Sequence, residues 1–195
     1  PGGDMLTAKA INESSLYSIN EFPTQVVELI GWLRNELGED HPFNSVKAMP
    51  QGDACPEIWL LGSSDYSSTL AAHLGVRFAF AHFINPLGGD AVTRQYRSTF
   101  TPSPLEAQAA SMVCVFVICG ESHEEAEYLA ASIDHRRVMM ATGKESEIIP
   151  SEEAANWSYS EREKNIIQQE RSRVVLGTPE SIKEQLSKIK NDFQA

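Results

Sequence analysis

The 195-residue sequence predicts an α/β fold of parallel strands with helices outside, and three observations carry that prediction. Short apolar runs at Ile58–Leu61, Val76–Phe83 and Met112–Cys119 alternate with helical stretches. The runs are largely apolar rather than strictly alternating, as strands buried on both faces are. The first of them breaks at Gly62 directly into a Ser-Ser-Asp helix opening. Repeated strand–helix units imply parallel strands joined by right-handed crossovers.

The first helix is read from Phe22, Val26, Leu29, Ile30, Leu33 and Leu37, whose spacing by three and four puts them on one face. Asn20 caps its start, Pro23 stands in its first turn and Gly38 lies just past its end. Residues 39–56, with Pro42, Pro50, Gly52 and Pro56, keep no period and read as a long loop. After the strand at Ile58–Leu61, Ser63-Ser64-Asp65 opens a helix carrying Leu70, Ala71 and Leu74, which Gly75 closes. The strand at Val76–Phe83 follows, then a turn from Pro86 to Gly89, a helix from about Asp90 to Phe100 and the strand Met112–Cys119. Ser122-His123-Glu124-Glu125 has capping-box spacing and starts a helix running toward Met140. Thr178-Pro179-Glu180 caps a last helix with the stripe Ile182, Leu186, Ile189 and Phe193. Three strands are therefore expected, within one domain over 1–195.

Composition bounds the function. With 42% hydrophobic and 22% charged residues the chain is of ordinary globular type. Sixteen Lys and Arg against 27 Asp and Glu leave a net charge of −11, which argues against nucleic acid as a partner. No apolar run reaches the ~18–20 residues of a membrane span. The opening Pro1-Gly2-Gly3-Asp4-Met5 has no signal-peptide character, so a soluble, cytoplasmic protein without membrane partners is expected. Cys55, Cys114 and Cys119 have no zinc-like spacing, so no metal site is assigned; the latter two are expected to be buried as small hydrophobes.

In parallel α/β folds ligands sit at the carboxyl ends of strands, on the loops into the helices. The first such loop, Gly62-Ser63-Ser64-Asp65-Tyr66-Ser67-Ser68, offers helix N-terminal amides and hydroxyls to a phosphate. A plain N-cap at Ser63 or Ser64 explains the same residues. The second, Ala81-His82-Phe83-Ile84-Asn85-Pro86, holds His82, which suits acid–base work near neutral pH or an internal hydrogen bond. The third, Cys119–His123, reads as a capped helix start. Residues 143–170, acidic and carrying Trp157 and Tyr159, read as a lid over a ligand or as a solvated insertion. The HxExxH, GxSxG, Walker and GxGxxG patterns are absent.

Taken together, Pro1-Gly2-Gly3-Asp4, Ile58–Ser64, Phe78–Phe83, Tyr96–Phe100 and Leu176-Gly177-Thr178-Pro179-Glu180 resemble the bacterial luciferase-like, flavin-dependent monooxygenase family. The resemblance implies a (β/α)8 TIM barrel of which this chain holds the part after the fourth strand: strands five to seven would be the three above, with the first four and the last absent. It implies that Ser63, Ser64 and Ser67, with Gly62, contact the phosphate of FMN, and that Gly2 and Gly3 lie in the turn beside it. His82 is implied near the flavin ring as the catalytic candidate and Phe83 beside the substrate. The implied reaction uses reduced FMN, delivered by a separate flavin reductase, and O2 to oxidise a small organic substrate, in a homodimer. A deazaflavin, F420, in the same place and a flavin-binding protein without catalysis are the alternatives.

Overall fold

A computed structural model describes residues 21–52, 55–144 and 147–194, together with Leu6 and Ala10. Gly2, Gly3 and Asn20 lie outside the described residues. The chain divides into two compact units, residues 1–57 and 58–195.

In the first unit the expected helix is α1, Phe22–Arg34, with Pro23 in its first turn. It ends earlier than its apolar spacing suggests, because Asn35 turns left-handed (φ 56°, ψ 37°) and the Glu36 amide donates to Gly31 O at 2.8 Å. Asn tolerates this conformation better than other non-glycine residues, so Leu37 and Gly38 fall beyond the helix. Of the apolar stripe, Val26 is buried, whereas Phe22, Leu29 and Leu33 are exposed. Residues 39–52 hold turns, with no helix or strand.

The second unit is built on parallel strands. β1 (Trp59–Gly62) pairs with β2 (Arg77–Ala81) in the register Trp59↔Arg77 to Gly62↔Phe80, and β2 pairs with β3 (Ser111–Cys114) from Phe78↔Ser111 to Ala81↔Cys114. The single apolar run Met112–Cys119 is in fact two strands. Val115 separates β3 from β4 (Phe116–Cys119), which turns to a different partner, β5 (Val174–Gly177). β5, before the last helix, is a strand beyond the three expected and corrects that count. Its signal, Val174-Val175-Leu176-Gly177, has the same form as Ile58–Gly62, an apolar run ending at glycine before a capped helix.

Helices follow the strands: α2 (Asp65–Leu74), α3 (Gly89–Thr99), α4 (His123–Ala141) and α7 (Pro179–Phe193), with α5 (Ser151–Ala155) and α6 (Glu161–Arg171) inserted between α4 and β5. α6 starts in a full capping box between Ser160 and Glu163, a spacing passed over inside the acidic stretch. Gly75 closes α2 at φ 62°, where a Cβ would also run into Thr101 O and the Ser103 side chain.

One face of the three-stranded sheet makes the core. Phe78 and Phe80 are fully buried, Phe78 lying 5.5 Å from the ring of Tyr96 on α3 and Phe80 5.3 Å from Phe193 on α7. Each such phenylalanine contributes about 1.5–3 kcal/mol by leaving water. The buried Tyr96 hydroxyl lies 2.9 Å from Val76 O and 3.1 Å from Ala110 O, tying the starts of β2 and β3 to α3. On the opposite face the row Leu61–Ala79–Met112 leaves Leu61 and Met112 exposed. Cys119 is exposed and Cys114 half-buried, so the expected burial of both is corrected. Cys119 is the last residue of β4, where the strand leaves the sheet.

Candidate functional site

The strand-to-helix loops of the second unit lie at the carboxyl ends of its parallel strands. At β1 the chain passes from Gly62 through Ser63 and Ser64 into α2. Ser64 takes the N-cap position with extended backbone (φ −142°, ψ 174°), yet its side chain makes no capping hydrogen bond. Ser64 is thus the N-cap by position, as the plain reading has it, but its hydroxyl does not satisfy an orphan amide. Among the described residues neither Ser63 nor Ser64 has a side-chain hydrogen-bond partner. Ser64 is exposed and Ser63 half-buried.

Ser67 is held one turn further in. A Cβ on Gly62 would stand 2.5 Å from Ser67 Cβ, so the strand end and the helix approach as closely as glycine permits. Ser68, buried, donates to Asp65 O at 2.9 Å and so faces away from the turn. Asp65 opens the helix and brings a carboxylate to the same first turn. The result is an exposed helix N-terminus with two unengaged hydroxyls, a donor set suited to an oxyanion.

The other strand ends differ. Ser122 caps α4 by accepting the Glu125 amide at 3.1 Å, while the Glu125 carboxylate accepts the Glu121 amide at 2.6 Å. Thr178 caps α7, and Pro179 leaves its first position without a donor. These two ends are joined by the Gly120 amide donating to Gly177 O at 3.1 Å. At each of these ends one first-turn amide donates to the cap side chain, Glu125 to Ser122 and Ser181 to Thr178.

His82 sits just past β2 and is buried, 9% exposed. Its ring meets Phe193 at 6.1 Å, and it borders an open cleft of about 560 Å³ with Pro86, Asp90, Lys188 and Phe193. Burial lowers its pKa, and Nδ1 has no hydrogen-bond partner among the described residues. His82 thus belongs to the layer of Phe80, Phe193 and α7, and no hydrogen bond joins it to the serine turn among the described residues. Phe83 and Ile84 beside it are exposed. Gly2 and Gly3 lie outside the described residues, so the structure brings Gly62, Ser63, Ser64 and Ser67 together and leaves His82 in a separate setting. No group of three or more His, Cys, Asp or Glu suited to a metal ion occurs among the described residues. No helix among them is long and apolar enough to cross a membrane.

Residues 147–171 return to the outer helix α4: Trp157 stacks edge-on against His135 at 4.6 Å, and Arg171 binds Asp134. The strand end at Gly177 is not among the three expected loops, although Val174–Gly177 has the same apolar-run-to-glycine form as Ile58–Gly62.

No family model matches the chain. It is 37% identical over 186 residues to the uncharacterized protein YceB of Bacillus subtilis, covering 95% of this chain and 56% of that protein. It is 32% identical over 196 residues to a luciferase-like monooxygenase of Escherichia coli, covering 100% of this chain and 57% of that one. Among solved structures, apo-MsnO8 superimposes with a TM-score of 0.80 at 24% identity, over 100% of this chain and 57% of its own. The chain is thus related along its whole length to luciferase-like monooxygenases, and it spans rather more than half the length of the relatives it matches.

Proposed function

We propose that the chain is part of a flavin-dependent monooxygenase that uses reduced FMN and O2 to oxidise a small organic molecule. Its parallel strands then form one portion of a (β/α)8 barrel. The observation that carries this reading is the uncapped start of α2, where the Ser63 and Ser64 hydroxyls stand unengaged at the carboxyl end of β1.

Reduced FMN, when bound, supplies the electrons that activate O2. The amides of the first turn of α2 and the hydroxyls of Ser63 and Ser64 hold its phosphate, without a cationic side chain. Ser67, braced against Gly62, sets how closely that helix end approaches the sheet. Phe83 and Ile84 offer apolar surface beside the strand ends, suited to an organic substrate and to keeping water from the reacting centre. A separate flavin reductase provides the reduced cofactor, the protein works as a homodimer, and it resides in the cytoplasm.

A second reading, a flavin-binding protein without catalysis, draws on the His82 ring packing against Phe193 with no hydrogen bond to the serine turn among the described residues. FMN titration of the full-length protein, followed by turnover with a flavin reductase and isotopically labelled O2, separates these readings. Flavin binding with label entering an organic product is the expected result, and binding without incorporation favours the second reading. Failure to bind FMN while binding F420 selects the deazaflavin, and failure to bind either removes the flavin assignment.

A further inference from the structure

In the first unit the turns that follow α1 place His41 against that helix. Its ring is half-buried, edge-on to Trp32 at 6.2 Å and 5.9 Å from the ring of Phe43. Both ring nitrogens are engaged. The Phe43 amide donates to Nδ1 at 3.2 Å, and Nε2 lies 3.4 Å from the Glu28 carboxylate on α1. Backbone bonds continue the turn, from Asn44 N to His41 O at 3.0 Å and from Val46 N to Phe43 O at 2.9 Å.

These contacts fix where the proton sits. A backbone N–H is accepted by a nitrogen without a proton, and a carboxylate accepts from one that carries it. The neutral ring therefore has its proton on Nε2, since the other tautomer would set donor against donor at Phe43 and acceptor against acceptor at Glu28. A second proton enters at Nδ1. The imidazolium donates from both nitrogens, so it gains an ion pair with Glu28 and loses the Phe43 amide. Among the described residues Glu28 is the charged group within hydrogen-bond distance of the ring, and Glu39 and Asp40, which precede it in the chain, are exposed.

We propose that His41 is a proton-sensitive latch on the turn at residues 41–46. Neutral, it ties the Phe43 amide to a ring that Glu28 holds against α1. Protonated, it releases that amide and keeps Glu28, so the turn loosens at Phe43 while the ring stays on the helix. Phe43 and Val46, both exposed, are apolar side chains that this turn presents, and acidification changes how they are displayed. The latch lies within residues 28–46 and stands apart from the flavin assignment.

NMR spectroscopy of the 15N-labelled full chain tests it. At about pH 8 the ring is expected as the Nε2–H tautomer, with a scalar coupling between Phe43 N and His41 Nδ1 across the hydrogen bond. Lowering the pH to about 5 is expected to abolish that coupling and to cut the protection factor of the Phe43 amide roughly two- to tenfold, in step with the His41 ring titration. His41→Asn keeps a side-chain acceptor for an amide two residues on but does not titrate, so there the Phe43 amide is expected to hold the same protection at both pH values. An Nδ1–H tautomer at the higher pH would overturn the proposal. So would a Phe43 amide whose protection ignores the His41 titration, or an equal pH response in His41→Asn. If that variant does not fold, the coupling and the protection in the unaltered protein decide alone.

Discussion

Gly62 and Ser67 meet where β1 gives way to α2, so closely that a methyl group on Gly62 would stand 2.5 Å from Ser67 Cβ. The backbone of Gly62 is not left-handed, so glycine is required by the approach of the helix rather than by its own torsion. That contact sets the position of the serine turn.

Gly62→Ala is accordingly expected to destabilise the chain by about 1–3 kcal/mol, as overpacking does. Ser67→Gly alone, in the first turn of α2, costs about 0.5 kcal/mol, but it should recover part of the loss in the Gly62→Ala background. Urea denaturation of the four proteins in this cycle gives the coupling; strict additivity would show that the two residues do not clash.

Ser64→Asp places a carboxylate where the oxyanion is proposed to sit. FMN affinity should fall by about tenfold or more, roughly 1.4 kcal/mol, as read by quenching of flavin fluorescence in the full-length protein. Ser64→Ala should cost less, because the helix amides remain. An unchanged dissociation constant for Ser64→Asp would remove the turn from the binding site.

Tyr96→Phe removes the hydroxyl that ties Val76 O and Ala110 O to α3. Ala110 O keeps the Phe78 amide, but Val76 O and the Ala110 amide lose the hydroxyl, so a loss of about 1–3 kcal/mol is expected in chemical denaturation. A loss below ~0.5 kcal/mol would mean that water replaces the hydroxyl.

His82 makes stability depend on pH in a stated direction. Burial lowers its pKa, so the folded chain binds this proton less readily than the unfolded chain, in which histidine titrates near about 6.5. Its contribution is therefore complete above that value and is lost as pH falls through the lower folded value. Comparing unfolding free energies of the unaltered protein and His82→Gln between about pH 5 and pH 8 isolates this term. A difference between the two that stays constant with pH would falsify the assignment.

The strand–helix alternation was legible because it is written in local chemistry: Ile58–Leu61 ends at Gly62, Gly75 closes α2, and Ser122 and Thr178 cap their helices as spacing suggests. The serine turn was equally legible as a candidate, since strand, glycine and hydroxyls are contiguous in the chain. What was missed is also instructive. β5 is no shorter than β1, but it follows α6 with only Ser172 and Arg173 between them, and Ser160–Glu163 lies in an acidic run, so neither is set off from its surroundings.

Sequence alone determined the strand–helix alternation from Ile58 to the start of α4, the net negative charge and the residues at the first strand end, because each depends on neighbours along the chain. Tertiary structure decided that Met112–Cys119 divides at Val115 between two partners, that Ser64 leaves its hydroxyl unengaged, and that His82 turns to Phe193. Those outcomes depend on contacts between residues far apart in sequence. Periodicity and spacing carry no information about which distant side chain fills the space beside them.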